Sequence, residues 1–222
     1  MLTLDEGTIL VKLARQAVTE FLLEGRRISV PKNTPRKLRE KRGVFVTIEK
    51  LVSDESTGVI RRILRGCIGY PEPVLPLAEA TINAAISAAT EDPRFPQLIP
   101  QELKQVIFEV SVLSPLQLIK VNNPQEYPQK IQVGVDGLLV ESGYTRGLLL
   151  PQVAVEWGWT AEEFLSQASL KAGLPPDAWT FPTTRVYKFQ AEIFAELEPN
   201  GRIIQRRPDL GYTPRKRSAR VY

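Results

Sequence analysis

One order of elements occurs twice in this chain and limits what it can fold into. The order is a hairpin, an Arg-Gly pair in its second strand, apolar residues, a proline, a helix and a further strand. Arg65-Gly66 and Arg146-Gly147 stand 81 positions apart (146 − 65), and the same spacing lays Val106 on Tyr187, Phe108 on Phe189 and Val112 on Ile193. It also lays the helical stretch Leu75–Ala89 over Glu156–Leu170. The pattern predicts two duplicated β-β-α-β units, repeat one over about 43–113 and repeat two over about 131–196. The fold class expected is α+β, a mainly antiparallel sheet flanked by helices. A chain of 222 residues can bury a core of that size.

Local pattern supplies the elements. Thr3 and Glu6 have capping-box spacing, and Leu10, Leu13, Ala14, Ala17, Val18 and Phe21 recur at helical intervals, so a helix is expected over 4–24 with Gly25 as its stop. Val44, Val46 and Ile48 alternate with less apolar neighbours, a polar turn follows at 54–58, and residues 44–68 read as a long hairpin. Pro71, Pro73 and Pro76 end it and open the next helix. Residues 106–112 form a strand. Asp136-Gly137 between apolar neighbours predicts a hairpin turn. Thr160 and Glu163 make a second capping box, before a helix that stops at Gly173. Residues 187–196 alternate as a single last strand. Residues 1–196 are then one domain, and 197–222 a basic, largely disordered tail.

Composition removes most catalytic schemes. The chain has no histidine and one cysteine, which excludes Ser-His-Asp and Cys-His pairs, His-ligated zinc and an internal disulfide. No metal-site residue is assigned, carboxylate-bound hard metals stay open, and the cofactor is unknown. A lone cysteine, no apolar run long enough to span a membrane and no leader pattern at the N-terminus point to the cytoplasm.

The chemistry left centres on Leu64-Arg65-Gly66-Cys67-Ile68-Gly69. Cys67 is the candidate catalytic residue, either an inert packing thiol or a thiolate that Arg65 stabilises, with water, Asp92 or Glu156 as its base. A regular strand would put Cys67 on the face of Arg65, and a bulge at Gly66 would reverse that. Gly66 and Gly69 mark a bulge or a close-packed helix, or else let a ligand approach the backbone beside Ile68. Arg65 is solvated or paired with a surface acid, or else Arg65 and Arg146 together grip a small anionic ligand such as a carboxylate or phosphate. Gln152 and Glu156 share one side of a helix with Trp159, facing water or lining the same site. Residues 26–42 carry eight basic side chains and one acid, and 201–222 carry seven and one. These stretches are solvated, or they contact nucleic acid phosphates as an adaptor would.

The hexapeptide resembles the signature of the AMMECR family, and Leu150-Pro151-Gln152-Val153-Ala154, Trp159, Phe164 and Lys171-Ala172-Gly173-Leu174 resemble further family blocks. The resemblance covers about residues 8–196. It implies an α+β fold with a larger sheet part and a smaller helical part, the signature near the cleft between them, and no established molecular function. It also implies Memo-type or radical-SAM proteins as partners. The basic extension past residue 200 departs from the family pattern. The reading that follows is a cytoplasmic enzyme, or an enzyme's accessory protein, that binds a small anionic ligand near Cys67.

Overall fold

The first helix starts where its capping box puts it. In the computed structural model, which describes residues 1–53 and 60–206, the Thr3 hydroxyl accepts from the Glu6 amide and the Glu6 carboxylate accepts from the Thr3 amide. Helix α1 runs over Leu4–Glu24 and ends on Gly25 in the left-handed region. The turn expected at 54–58 and residues 207–222 of the tail lie outside the described residues.

Strands β1 (Val44–Ser53) and β2 (Ile60–Tyr70) pair antiparallel as the expected hairpin. Helix α2 (Leu77–Thr90) packs on both of them, and β3 (Val106–Leu113) pairs with the other side of β1. Apolar residues of α1, α2 and one sheet face, among them Leu10, Val18, Ile48, Ile86 and Phe108, make the core. The alanines of α2 let its axis lie close to the sheet.

A second sheet follows from β4 (Gln117–Leu118), β5 (Gly137–Ser142), β6 (Thr145–Leu149) and β7 (Thr184–Phe189), in the order β4-β7-β5-β6. Helices α3 (Pro151–Trp157) and α4 (Ala161–Lys171) lie between β6 and β7 in sequence, and Thr160 caps α4 as expected. Phe164, Leu165 and Ala168 of α4 meet Leu138, Val140, Leu149 and Val186 in a separate core. Strands β8 (Ala191–Glu196) and β9 (Ile203–Arg206) complete the first sheet, whose order is β2-β1-β3-β8-β9. The chain thus forms two compact units, Met1–Leu113 with Glu192–Arg206, and Ser114–Ala191.

Three expectations change. Asp136-Gly137 is the entry to β5 and not a hairpin turn. The Asp136 carboxylate accepts from the Gln132 amide and from Lys188 Nζ, and the Phe189 ring fills the space a side chain at Gly137 would need. The turn sits at Gly143 instead, in the left-handed region. The single strand expected over 187–196 is two strands in two sheets, split at Gln190. There the Gln190 amide donates to Ser114 Oγ and its carbonyl accepts from the Ser114 amide, which takes the backbone out of both ladders. Residues 203–206, expected in a disordered tail, pair with β8 and bury Ile203 in the first core.

Candidate functional site

The hexapeptide lies on β2, an edge strand, and most of it has an architectural task. Ile48 faces Gly66 while Glu49 faces Leu64, so Arg65 is the extra residue of a β-bulge. The bulge turns Arg65 to the segment after α2. Its Nε and Nη2 donate to the two carboxylate oxygens of Glu102, each at 2.9 Å, and Nη1 and Nη2 donate to the carbonyls of Pro96 and Gln97. This hydrogen-bonded fork, working against burial, holds the Glu102 carboxyl below its ordinary pKa. A side chain at Gly66 would overlap the carbonyl oxygen of Ala88 in α2, and one at Gly69 would overlap the Val44 carbonyl and the Phe45 ring. Ile68 packs on the core.

Cys67 has a different setting. Its amide donates to Asp92 Oδ2 at 2.8 Å, and its carbonyl accepts from Arg94 Nη2. Arg94 also donates to both Asp92 oxygens. Together they satisfy the outer rim of the edge strand where another strand would pair. Burial pushes the Asp92 carboxyl up, but the bonds from Arg94 and the Cys67 amide outweigh it and leave the pKa lowered. Because the Cys67 amide points outward, Cys67 and Thr47 form a pair without ladder hydrogen bonds, the kind with the closer side chains. Thr47 Oγ1 donates to Cys67 Sγ at 3.3 Å.

One row therefore runs across the sheet on the face away from α2: Cys67 on β2, Thr47 on β1 and Glu109 on β3. Beyond it Arg206 of β9 donates to Glu109 Oε2 at 2.6 Å. Glu49 is two residues along β1 on the same face, 3.5 Å from Arg62 Nη1. Glu109 is 2 % exposed. Burial raises its carboxyl to a pKa of about 7, with the Glu49 carboxylate adding to the effect and Arg206 and Arg62 opposing it. Glu49 Oε2, Arg62 Nη1 and Ser111 Oγ are shielded from solvent and have no hydrogen-bond partner among the described residues. Glu49 Oε2 and Arg62 Nη1 still face each other as an ion pair, which leaves the Ser111 hydroxyl as the group of the three without a charged or hydrogen-bonding neighbour among the described residues, an uncommon state for a buried hydroxyl.

The other expected site residues are in the second unit. Arg146 donates to Glu141 at 2.7 Å in a cross-strand row that also holds Arg185. Gln152 is buried in the first turn of α3, and Glu156 is half-buried near its end. Of the basic stretch 26–42, Arg26 pairs with Glu20 and Glu24, Arg27 lies over Phe21, and Lys37 reaches Glu6. Arg39 donates to three loop carbonyls, and Arg42 pairs with Glu192. Five of its eight cations thus have partners within the fold, although Arg26 and Lys37 stay exposed.

The sequence reading missed Thr47, Glu49, Arg62, Glu109, Ser111 and Arg206. Glu109 and Ser111 alternate with valines in β3 and look like a solvent face, although every residue of that strand is buried. Arg206 stands in a stretch without periodicity.

The sequence profile of the AMMECR1 family matches residues 11–194. The chain belongs to the AMMECR1 family. A protein of Thermofilum pendens is 60 % identical over 205 residues, 92 % of this chain and 96 % of its own length. Protein MJ0810 of Methanocaldococcus jannaschii is 50 % identical, over 93 % of this chain and 98 % of its own. The crystal structure of protein PH0010 from Pyrococcus horikoshii superposes with a TM-score of 0.85 at 52 % identity, covering 91 % of this chain and 97 % of that one. The family's α+β fold is the one described above, and no molecular function comes with it. Among the described residues no helix is long and apolar enough to cross a membrane.

Proposed function

We propose that the polar face beside Cys67 is the working site of this protein and that it binds a small anionic ligand there. Arg62 takes the anion through Nη1, and Cys67 acts as the nucleophile or redox group. The protein is an enzyme or an enzyme's accessory subunit, and it works in a reducing cytoplasm, where a single thiol stays reduced. The observation that carries the reading is the bulge at Arg65. It brings Cys67 onto the face of Thr47, Glu49, Arg62 and Glu109, where the Glu49–Arg62 ion pair and the Ser111 hydroxyl are shielded and make no hydrogen bond among the described residues. Arg65, first expected to hold the anion, is bound to Glu102, and Arg62 replaces it in that role. The Memo-type or radical-SAM partner implied by the family resemblance would use this site from outside. Co-purification from the native cell tests that association.

Alkylation of Cys67 by iodoacetamide, with and without phosphate or citrate, tests the site. Either anion should slow alkylation in the native chain, and Arg62→Gln should abolish that protection. A thiol that reacts equally fast with and without anion overturns the anion site. Cys67 inert to alkylation at every pH overturns its catalytic role.

A further inference from the structure

No histidine is present to move a proton at neutral pH, so another group must do so if the site does chemistry. The row across the sheet offers one. Cys67 and Thr47 are directly opposite on β2 and β1, and Thr47 and Glu109 are directly opposite on β1 and β3. The first pair is of the closer kind and the second is hydrogen-bonded, so Cys67 and Glu109 are separated by about 10 Å at their Cα atoms. The Thr47 hydroxyl stands between them and donates to Cys67 Sγ. Resting on the proposed site, we infer that Cys67 and Glu109 titrate as one coupled unit, with Thr47 as the bridge, so that Glu109 controls when the thiolate forms.

Several observations support this. Glu109 is buried inside a sheet, and the charges acting on it are Arg206 from β9, Glu49 from β1 and Arg62 from β2. It gains and loses its own charge near neutrality, within the range where a thiol does. Near Cys67, Asp92 and Arg94 bind its backbone and each other, and Glu49 and Arg62 share its face. Independently of the thiol, the fully buried Ser111 hydroxyl on the same face has no hydrogen-bond partner among the described residues, which marks the face as built for a polar visitor. Between charges about 10 Å apart at an effective dielectric near 20, ionisation of one shifts the other by about one pH unit.

Cys67 is the sole thiol, so its alkylation rate against pH reads its ionisation in the intact chain with no background. Glu109→Gln removes the negative charge that opposes the thiolate. It should lower the midpoint by about one unit, making alkylation about tenfold faster just below the native midpoint. Thr47→Val removes the donor to Sγ and should raise the midpoint, and Thr47→Ser should restore it. Linkage requires the reverse effect: Cys67→Asp, which fixes a negative charge at the thiolate's place, should raise the Glu109 carboxyl titration, followed by its infrared band, by about the same amount. That second measurement serves if Glu109→Gln does not fold. Unchanged alkylation profiles in Glu109→Gln and Thr47→Val, or a Glu109 titration indifferent to Cys67→Asp, overturn the coupling. No ligand is needed, so failure here is distinct from failure of phosphate or citrate to protect the thiol.

Discussion

The two units carry the same strand pattern with opposite chemistry. In one, β2-β1-β3 are neighbours, and in the other β6-β5-β7 are. The row Gly66, Ile48, Phe108 matches Gly147, Val140, Val186, and in each the glycine lies against the backbone of the following helix, at Ala88 in α2 and at Ala168 in α4. One row on, Cys67, Thr47 and Glu109 stand where Leu148, Leu139 and Tyr187 stand in the second unit. Two rows beyond that, an aromatic ring covers a glycine in both units, Phe45 over Gly69 and Phe189 over Gly137. The units part at the arginine. Arg146 stays in register and faces Glu141, whereas the bulge removes Arg65 from the equivalent Glu49 and leaves Arg62 to meet it. A single extra residue therefore separates a plain cross-strand ion pair from a buried polar face.

The first unit should therefore make stability depend on pH in a way the apolar row of the second cannot. Glu109 folded has a pKa of about 7 against an ordinary value of 4.5. Between those values the folded chain keeps a proton that the unfolded chain releases. Stability should therefore fall as pH rises from about 4.5 to about 7 and level off above, by about 3 kcal/mol in all. Asp92 has the opposite sign: its lowered pKa adds stability above its ordinary 3.8 and loses it as pH falls below that. Urea unfolding at a series of pH values above 4.5 isolates the Glu109 slope, and Glu109→Gln should flatten it. A native chain whose stability is level across that window would contradict the burial argument.

The shared feature comes next in size. Gly66→Ala and Gly147→Ala each place a methyl group on the backbone of a packed helix, and each should cost about 2–3 kcal/mol. Equal losses in urea unfolding would establish that both glycines do the same work. A neutral Gly147→Ala beside a damaging Gly66→Ala would break the likeness and return Gly66 to the site.

Much of this likeness could be read from the sequence, but only at its centre. The Arg-Gly pairs do stand at equivalent places 81 residues apart, yet the flanking strands do not keep that spacing. Sheet register gives Phe108 the place that Val186 has in the second unit, a spacing of 78 (186 − 108), so the match of Phe108 to Phe189 joins residues in different rows. Val112 and Ile193 even lie in strands with different neighbours. Capping boxes and the β1–β2 alternation were legible because they are local. The bulge was not, because Arg-Gly is spelled identically where the ladder breaks and where it continues. Arg206 was invisible for a related reason: its place is set by Glu109, almost a hundred residues away, and a four-residue strand has too few positions to show a period.

The smallest effects test the arginines themselves. Arg65 and Glu102 are largely shielded, and the guanidinium also holds two carbonyls, so Arg65→Ala leaves a carboxylate and two acceptors without their donor. Charge-assisted bonds of this kind are worth about 2 kcal/mol when one partner is removed. Arg146 is half exposed, and its bond to Glu141 competes with water, so Arg146→Ala should cost about 0.5 kcal/mol and less in high salt. Comparing the two variants by urea unfolding at low and high salt separates a structural staple from a surface pair. Should Arg146→Ala prove as damaging as Arg65→Ala, the two arginines would have one role, and the bulge would not be what sets the first unit apart.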